Sequence, residues 1–104
     1  MMELLQRVRK AIESVVGAES MELYLYGSRA RGDATPESDW DLLLILPDEL
    51  AQTNRRAVQD ALYDIELDCD EVLSCIVMGR SDWDFIRLAE TPFAVSIQQE
   101  GIRL

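Results

Sequence analysis

Gly27, Ser28, Asp39 and Asp41 carry the chemistry that the sequence makes visible. Gly27-Ser28 follows the apolar run Leu23-Tyr24-Leu25-Tyr26, and ten residues separate Ser28 from Asp39. Asp39 and Asp41 flank Trp40 and lead directly into Leu42-Leu43-Leu44-Ile45-Leu46. A strand that ends in Gly-Ser and enters a helical turn presents backbone N–H groups where the helix N-terminus carries partial positive charge. Glycine lets the backbone approach an anion, and serine adds a hydroxyl donor. Two aspartates two apart on a strand point to one face, and they repel unless a cation lies between them. Magnesium takes oxygen ligands, commonly one or two carboxylates plus substrate phosphates. Together these are the parts of a site for a metal-bound phosphate ester. A solvated turn would be the better reading of an isolated Asp-x-Asp pair. Its place at the mouth of a buried strand, shortly after Gly-Ser, favours the metal.

The elements that must position these residues follow from periodicity. Leu4, Leu5, Val8, Ile12, Val15 and Val16 recur at helical spacing over residues 2–16, and Gly17 is a stop. Residues 22–26 read as a strand. Ser28 is a candidate cap for a helical turn over residues 29–31. Residues 32–38, with Pro36, are a polar loop. Residues 40–46 form a strongly apolar strand ended by Pro47. The spacing predicts a helix over 48–66, capped by Asp48 or Thr53, with Ala57, Ala61, Leu62 and Ile65 on its buried face. Residues 71–78 are a third strand. Ser81 is a candidate cap for a helical turn through Leu88, and Pro92 opens a last helix through about residue 99. Gly101 leads into Ile102-Arg103-Leu104. The order α-β-α-β-α-β-α predicts an α/β fold, a small mixed sheet with helices packed on it.

Length and composition bound the functional classes. The 104 residues, 48% of them hydrophobic, fit a single domain over 1–104. At this size burial is barely sufficient, so a partner or a homo-oligomer would add stability. No apolar run approaches the ~20 residues that span a membrane, and the N-terminus lacks a signal-peptide core, which makes the cytoplasm the expected location. A net charge of −10 disfavours non-specific nucleic-acid binding. It suits divalent cations and basic partners, or simply keeps the protein dissolved. Cys69 and Cys75 fit no zinc motif and read as free, mostly buried thiols. The chain has no histidine, so histidine-based nucleophilic and general-base chemistry is excluded. Carboxylates and metal remain.

Tyr26-Gly27-Ser28-Arg29-Ala30-Arg31-Gly32, followed by Asp39-Trp40-Asp41, resembles the signature of the DNA polymerase beta-type nucleotidyltransferase superfamily, and the short chain resembles its minimal branch. The resemblance implies a nucleotidyltransferase-like fold. It implies transfer of a nucleoside monophosphate from a nucleoside triphosphate, ATP by expectation, to a hydroxyl of a protein or small molecule. Gly27 and Ser28 would contact the triphosphate, and Arg29 lies where it could reach a phosphate, though it reads equally as surface charge. Asp39 and Asp41 would be catalytic and would bind Mg2+ or Mn2+. Arg31 reads rather as surface charge paired with Asp33 or Glu37. The family also places a third carboxylate, a metal ligand and base, in the strand after the long helix. Here Ser74 takes that place, with Asp70 and Glu71 only at the strand's start. Loss of a general base costs ~10²–10⁴ in rate. The alternative reading is therefore a weak or inactive nucleotide-binding protein, an antitoxin-like partner of a helical HEPN-type protein. Specificity elements would need an added domain, for which the chain has no room, so a partner would bring the acceptor. Trp40 faces away from the aspartates by alternation, and Trp83 and Phe85 read as packing for a helix on the sheet.

Overall fold

The longest unbroken apolar stretch in the chain becomes its central strand. A computed structural model describes residues 2–104, and in it Leu42 through Leu46 are all buried in β2 (Trp40–Leu46). Burial on both faces needs a layer above and below, which matches a run without polar alternation. The flanking elements supply both layers. The amphipathic helix α1 (Met2–Val16) ends at Gly17, whose positive φ of 85° carries the chain through a single 3-10 turn, Ala18–Ser20, into β1 (Glu22–Tyr26). A short α2 (Ser28–Arg31) and a polar loop lead to β2. Then come α3 (Asp48–Cys69), β3 (Leu73–Gly79), α4 (Arg80–Leu88), α5 (Pro92–Glu100) and β4 (Ile102–Arg103).

The sheet order is β3-β2-β1-β4. β1 runs antiparallel to β2 and β4, and β2 runs parallel to β3. The sheet is therefore mixed, with α3 as the crossover between its parallel pair. On one face Trp40, Leu42, Leu44 and Leu46 pack with Val8 and Ile12 of α1 and with Val58, Leu62 and Ile65 of α3. On the other, Leu43 and Ile45 pack with Trp83 of α4 and with Ala94 and Ile97 of α5.

Several local readings change. α3 runs to Cys69, three residues past its expected end, and stops where Asp70 turns left-handed at φ 55°. Ala57 is exposed rather than core, because the buried row of α3 is Ala51, Val58, Leu62 and Ile65. Polar side chains of α3 instead cover the free edge of β3. Glu66 accepts the Leu73 N–H at 2.9 Å, Gln59 donates to the Cys75 carbonyl at 3.1 Å and Arg55 to that of Val77 at 2.5 Å. That edge is consequently closed to pairing with another strand. Neither Asp48 nor Thr53 caps α3: Pro47 holds that position, and Thr53 bonds the Glu49 carbonyl within the helix. Asp48 reaches across to α4 and accepts from the Ser81 backbone N–H at 2.9 Å and from its hydroxyl. Ser81 thus lies inside α4 and is itself capped. Trp83 is buried as expected, whereas Phe85 is 73% exposed. Both cysteines are free and only partly buried. Burial pushes the Cys75 thiol up to about 12.

Candidate active site

Gly27 and Asp41 meet through the register of β1 and β2. Tyr26 pairs with Asp41, so the residue after Tyr26 leaves the sheet beside that carboxylate. Gly27 adopts φ 75° and ψ −158°, a conformation open essentially to glycine alone. A Cβ there would overlap Asp41 Oδ2 and stand 3.2 Å from its Cγ. Glycine is required twice at this position, once for the backbone and once for the contact. Gly27, not Ser28, caps α2, and its carbonyl accepts the N–H groups of Ala30 and Arg31 at 3.1 Å each. Ser28 is the first helical residue, where backbone N–H groups have no intrahelical acceptor.

Asp39 is exposed and Asp41 half-buried, on the face of β2 that Leu43 and Ile45 continue. Burial first, then the neighbouring Asp39 charge, raises the Asp41 carboxyl above its ordinary value, and Arg31 opposes the rise. Both raising causes are ones a cation would relieve. The donors are all carboxylate oxygens, which fits Mg2+ or Mn2+. Among the described residues no group of three or more His, Cys, Asp or Glu side chains is arranged to hold a metal. The chain's own contribution is the pair.

The third acid expected from the family resemblance has no counterpart beside Asp41 in the parallel ladder. Asp41 pairs with Ser74, and Ser74 is exposed on the same face. Glu71 is engaged elsewhere: its Oε2 accepts the Trp40 indole N–H at 3.0 Å. Trp40 is 2% exposed and packs on the opposite face, as alternation from the aspartates requires. Asp70 lies outside the strand, at the end of α3.

The two arginines diverge. The Arg29 guanidinium lies 4.3 Å from the Trp40 ring centroid. Its Nη2 donates to the Ser38 carbonyl at 3.0 Å and to that of Pro36 at 3.4 Å. Its Nε is buried without a partner among the described residues. Arg29 therefore ties the loop to the start of β2. It lines a cleft of about 390 Å³ with Arg7, Trp40, Cys69 and Glu71, which does not include Asp39 or Asp41. Arg31 pairs with Asp33 at 3.2 Å and with Glu100 at 3.4 Å, not with Glu37. Tyr26 packs edge-on against Phe93, with ring centroids 5.4 Å apart. Burial and the Asp41 charge hold its phenol above the ordinary value. Sequence reasoning did not place Glu100 at Arg31 or Tyr26 at Asp41. Glu100 has no local signal, being 69 residues from Arg31. Tyr26 is implied only once the strand register is known.

Residues 5–99 match the family model for the nucleotidyltransferase domain. No curated protein matches the chain. It is similar to a solved structure from Sulfolobus solfataricus provisionally named a nucleotidyltransferase. The two are 21% identical, the alignment covers 98% of this chain and 79% of that one, and the TM-score is 0.51. At that identity the likeness is one of fold.

Proposed function

Because the chain belongs to the nucleotidyltransferase domain family, we propose that it transfers a nucleoside monophosphate from a nucleoside triphosphate, ATP in the first instance, to an acceptor oxygen. The observation that carries this reading is the contact between Gly27 and Asp41, which sets the Gly-Ser turn and the carboxylate pair against each other. In this reading the Gly27-Ser28 backbone and the Ser28 hydroxyl hold the triphosphate. Asp39 and Asp41 hold Mg2+ or Mn2+, which screens charge on the transferring phosphoryl group and orients it. Arg29 acts on the triphosphate indirectly, by fixing the loop that joins the turn to the pair. Its contacts with Pro36, Ser38 and Trp40 support that role. The reference acceptor is a hydroxyl of a protein or small molecule, as the family resemblance implies.

Incubation with ATP labelled at the α-phosphate, Mg2+ or Mn2+ and candidate acceptors tests the reading. Labelled product that disappears in Asp39→Ala and Asp41→Ala supports it. Equal labelling by those variants refutes it.

A second reading is favoured by one observation, the uncharged Ser74 opposite Asp41. In it the chain binds nucleotide and metal but turns over slowly or not at all, as an antitoxin-like partner of a HEPN-type protein or as part of a homo-oligomer. The net charge of −10 supports a basic partner. No helix among the described residues is long and apolar enough to cross a membrane, which is compatible with a cytoplasmic role. Co-purification with a basic helical protein, together with nucleotide binding but no transfer, would favour this second reading.

A further inference from the structure

We propose that the acceptor is an oxygen already ionised at neutral pH, that of a phosphate group or a carboxylate, rather than a hydroxyl. The proposal rests on the nucleotidyl-transfer reading and names the acceptor class for that same site.

A hydroxyl acceptor must lose a proton as it attacks, and a positioned base accelerates that step by ~10²–10⁴. The position in line with Asp41 across the parallel ladder holds Ser74, whose hydroxyl is no base at neutral pH. Glu71 is turned to the opposite face and bonded to Trp40. Asp70 ends α3 outside the strand, Glu100 and Asp33 are paired with Arg31, and Glu37 stands exposed in the polar loop, outside the sheet. Tyr26, on the other side of Asp41, is a phenol, a group protonated at neutral pH. The chain contains no histidine. Asp39 and Asp41 are committed to the cation.

An oxyanion needs none of these groups. Its lone pair attacks the α-phosphorus, the bond from that phosphorus to the bridging oxygen of the β-phosphate breaks, and pyrophosphate leaves with the electron pair. No proton moves. An anionic acceptor does need positive charge beside the carboxylates. Arg31 supplies it from α2, four residues after Gly27, half-exposed and held by carboxylates that an incoming anion can displace. Products would be a pyrophosphate-linked adduct from a phosphate acceptor or a mixed anhydride from a carboxylate.

The test uses the full chain with α-labelled ATP and Mg2+ in three parallel arms. One contains inorganic phosphate or a nucleoside monophosphate, one acetate or glutamate, and one glycerol or a tyrosine-containing peptide. The expected result is an adduct in the phosphate or carboxylate arm, formed at least ~10²-fold faster than any hydroxyl adduct; which of those two arms responds identifies the source of the oxyanion. A hydroxyl adduct formed as fast overturns the inference and leaves nucleotidyl transfer standing. Metal-dependent ATP binding by calorimetry with no adduct in any arm also overturns it. Absence of metal-dependent ATP binding would instead sink the underlying reading. Ser74→Asp provides a second readout in the same arms. If it still binds ATP, hydroxyl transfer should rise by ~10²–10⁴ while oxyanion transfer falls through added repulsion. No rise in hydroxyl transfer contradicts the proposal, and if the variant does not fold, the three arms with the unaltered chain still decide.

Discussion

The two faces of β2 are built for different tasks. The face of Trp40, Leu42, Leu44 and Leu46 is sealed by α1 and α3 into the larger cluster, and even its terminal residue is closed off by Arg29 and Glu71. The face of Asp41, Leu43 and Ile45 is covered by α4 and α5 only over its apolar part, in a cluster with five buried residues. Its first position carries a half-buried carboxylate that meets glycine on one side and pairs with serine on the other. Alternation along one strand therefore separates anchoring from chemistry. Trp40 anchors the face opposite the aspartates, and a one-residue slip would exchange the two roles.

Truncating the sealed face should do the most damage to stability. Leu44→Ala removes a fully buried side chain and should cost ~2–5 kcal/mol in urea unfolding. A loss under ~1 kcal/mol would mean that this face does not anchor the fold.

Gly27→Ala comes next and crosses the comparison. The backbone at φ 75° and the overlap with Asp41 predict a loss of ~1–3 kcal/mol, together with loss of metal-dependent nucleotide binding. Retained binding would break the link between the turn and the pair.

Trp40→Phe keeps an aromatic ring at this place but removes the indole hydrogen bond to Glu71 and part of the buried ring. A loss of ~0.5–1.5 kcal/mol is expected, with weaker nucleotide binding if Trp40 positions the aspartates. Unchanged binding would show that the anchor face and the site are independent.

The smallest effects are in pH dependence, and they have opposite signs. The Asp41 carboxyl is raised in the folded protein, chiefly by burial and then by Asp39. Without metal, its contribution to stability falls as pH rises from the usual carboxylate value through the folded one. Asp41→Asn should remove that fall and abolish transfer. The Asp48 carboxyl is lowered by the hydrogen bonds from Ser81. Its contribution is present above the usual value and lost as pH falls through the folded one. Asp48→Asn should therefore be less stable than the parent at neutral pH, with the difference vanishing in acid. Thermal unfolding across pH 2–7 reads both, and parallel curves for all three proteins would contradict the assignment.

Local patterns made much of this visible. The apolar run fixed β2 as a strand buried on both sides, and alternation put Trp40 opposite the aspartates. Gly-Ser and Asp-x-Asp stood out because both combine unusual residue types with strand ends. What stayed hidden depends on contacts distant in sequence. β4 has two exposed residues and exists only because they pair with Tyr24 and Leu25. Asp48 looked like the cap of its own helix but serves Ser81, 33 residues away. Arg29 sits where a phosphate ligand would be expected, and only the fold shows it turned onto Trp40. Ser74 was flagged by the lack of an acid in its strand, and the ladder then set it opposite Asp41.

The central claim is that Gly27-Ser28 and the Asp39–Asp41 pair form one metal-dependent nucleotide site. Calorimetric titration of ATP into the protein, with Mg2+ and with chelator, addresses it most directly. The account predicts binding that requires Mg2+ and is lost in an Asp41→Asn variant that remains folded. ATP binding of equal affinity with chelator, or undiminished in that variant, would contradict it.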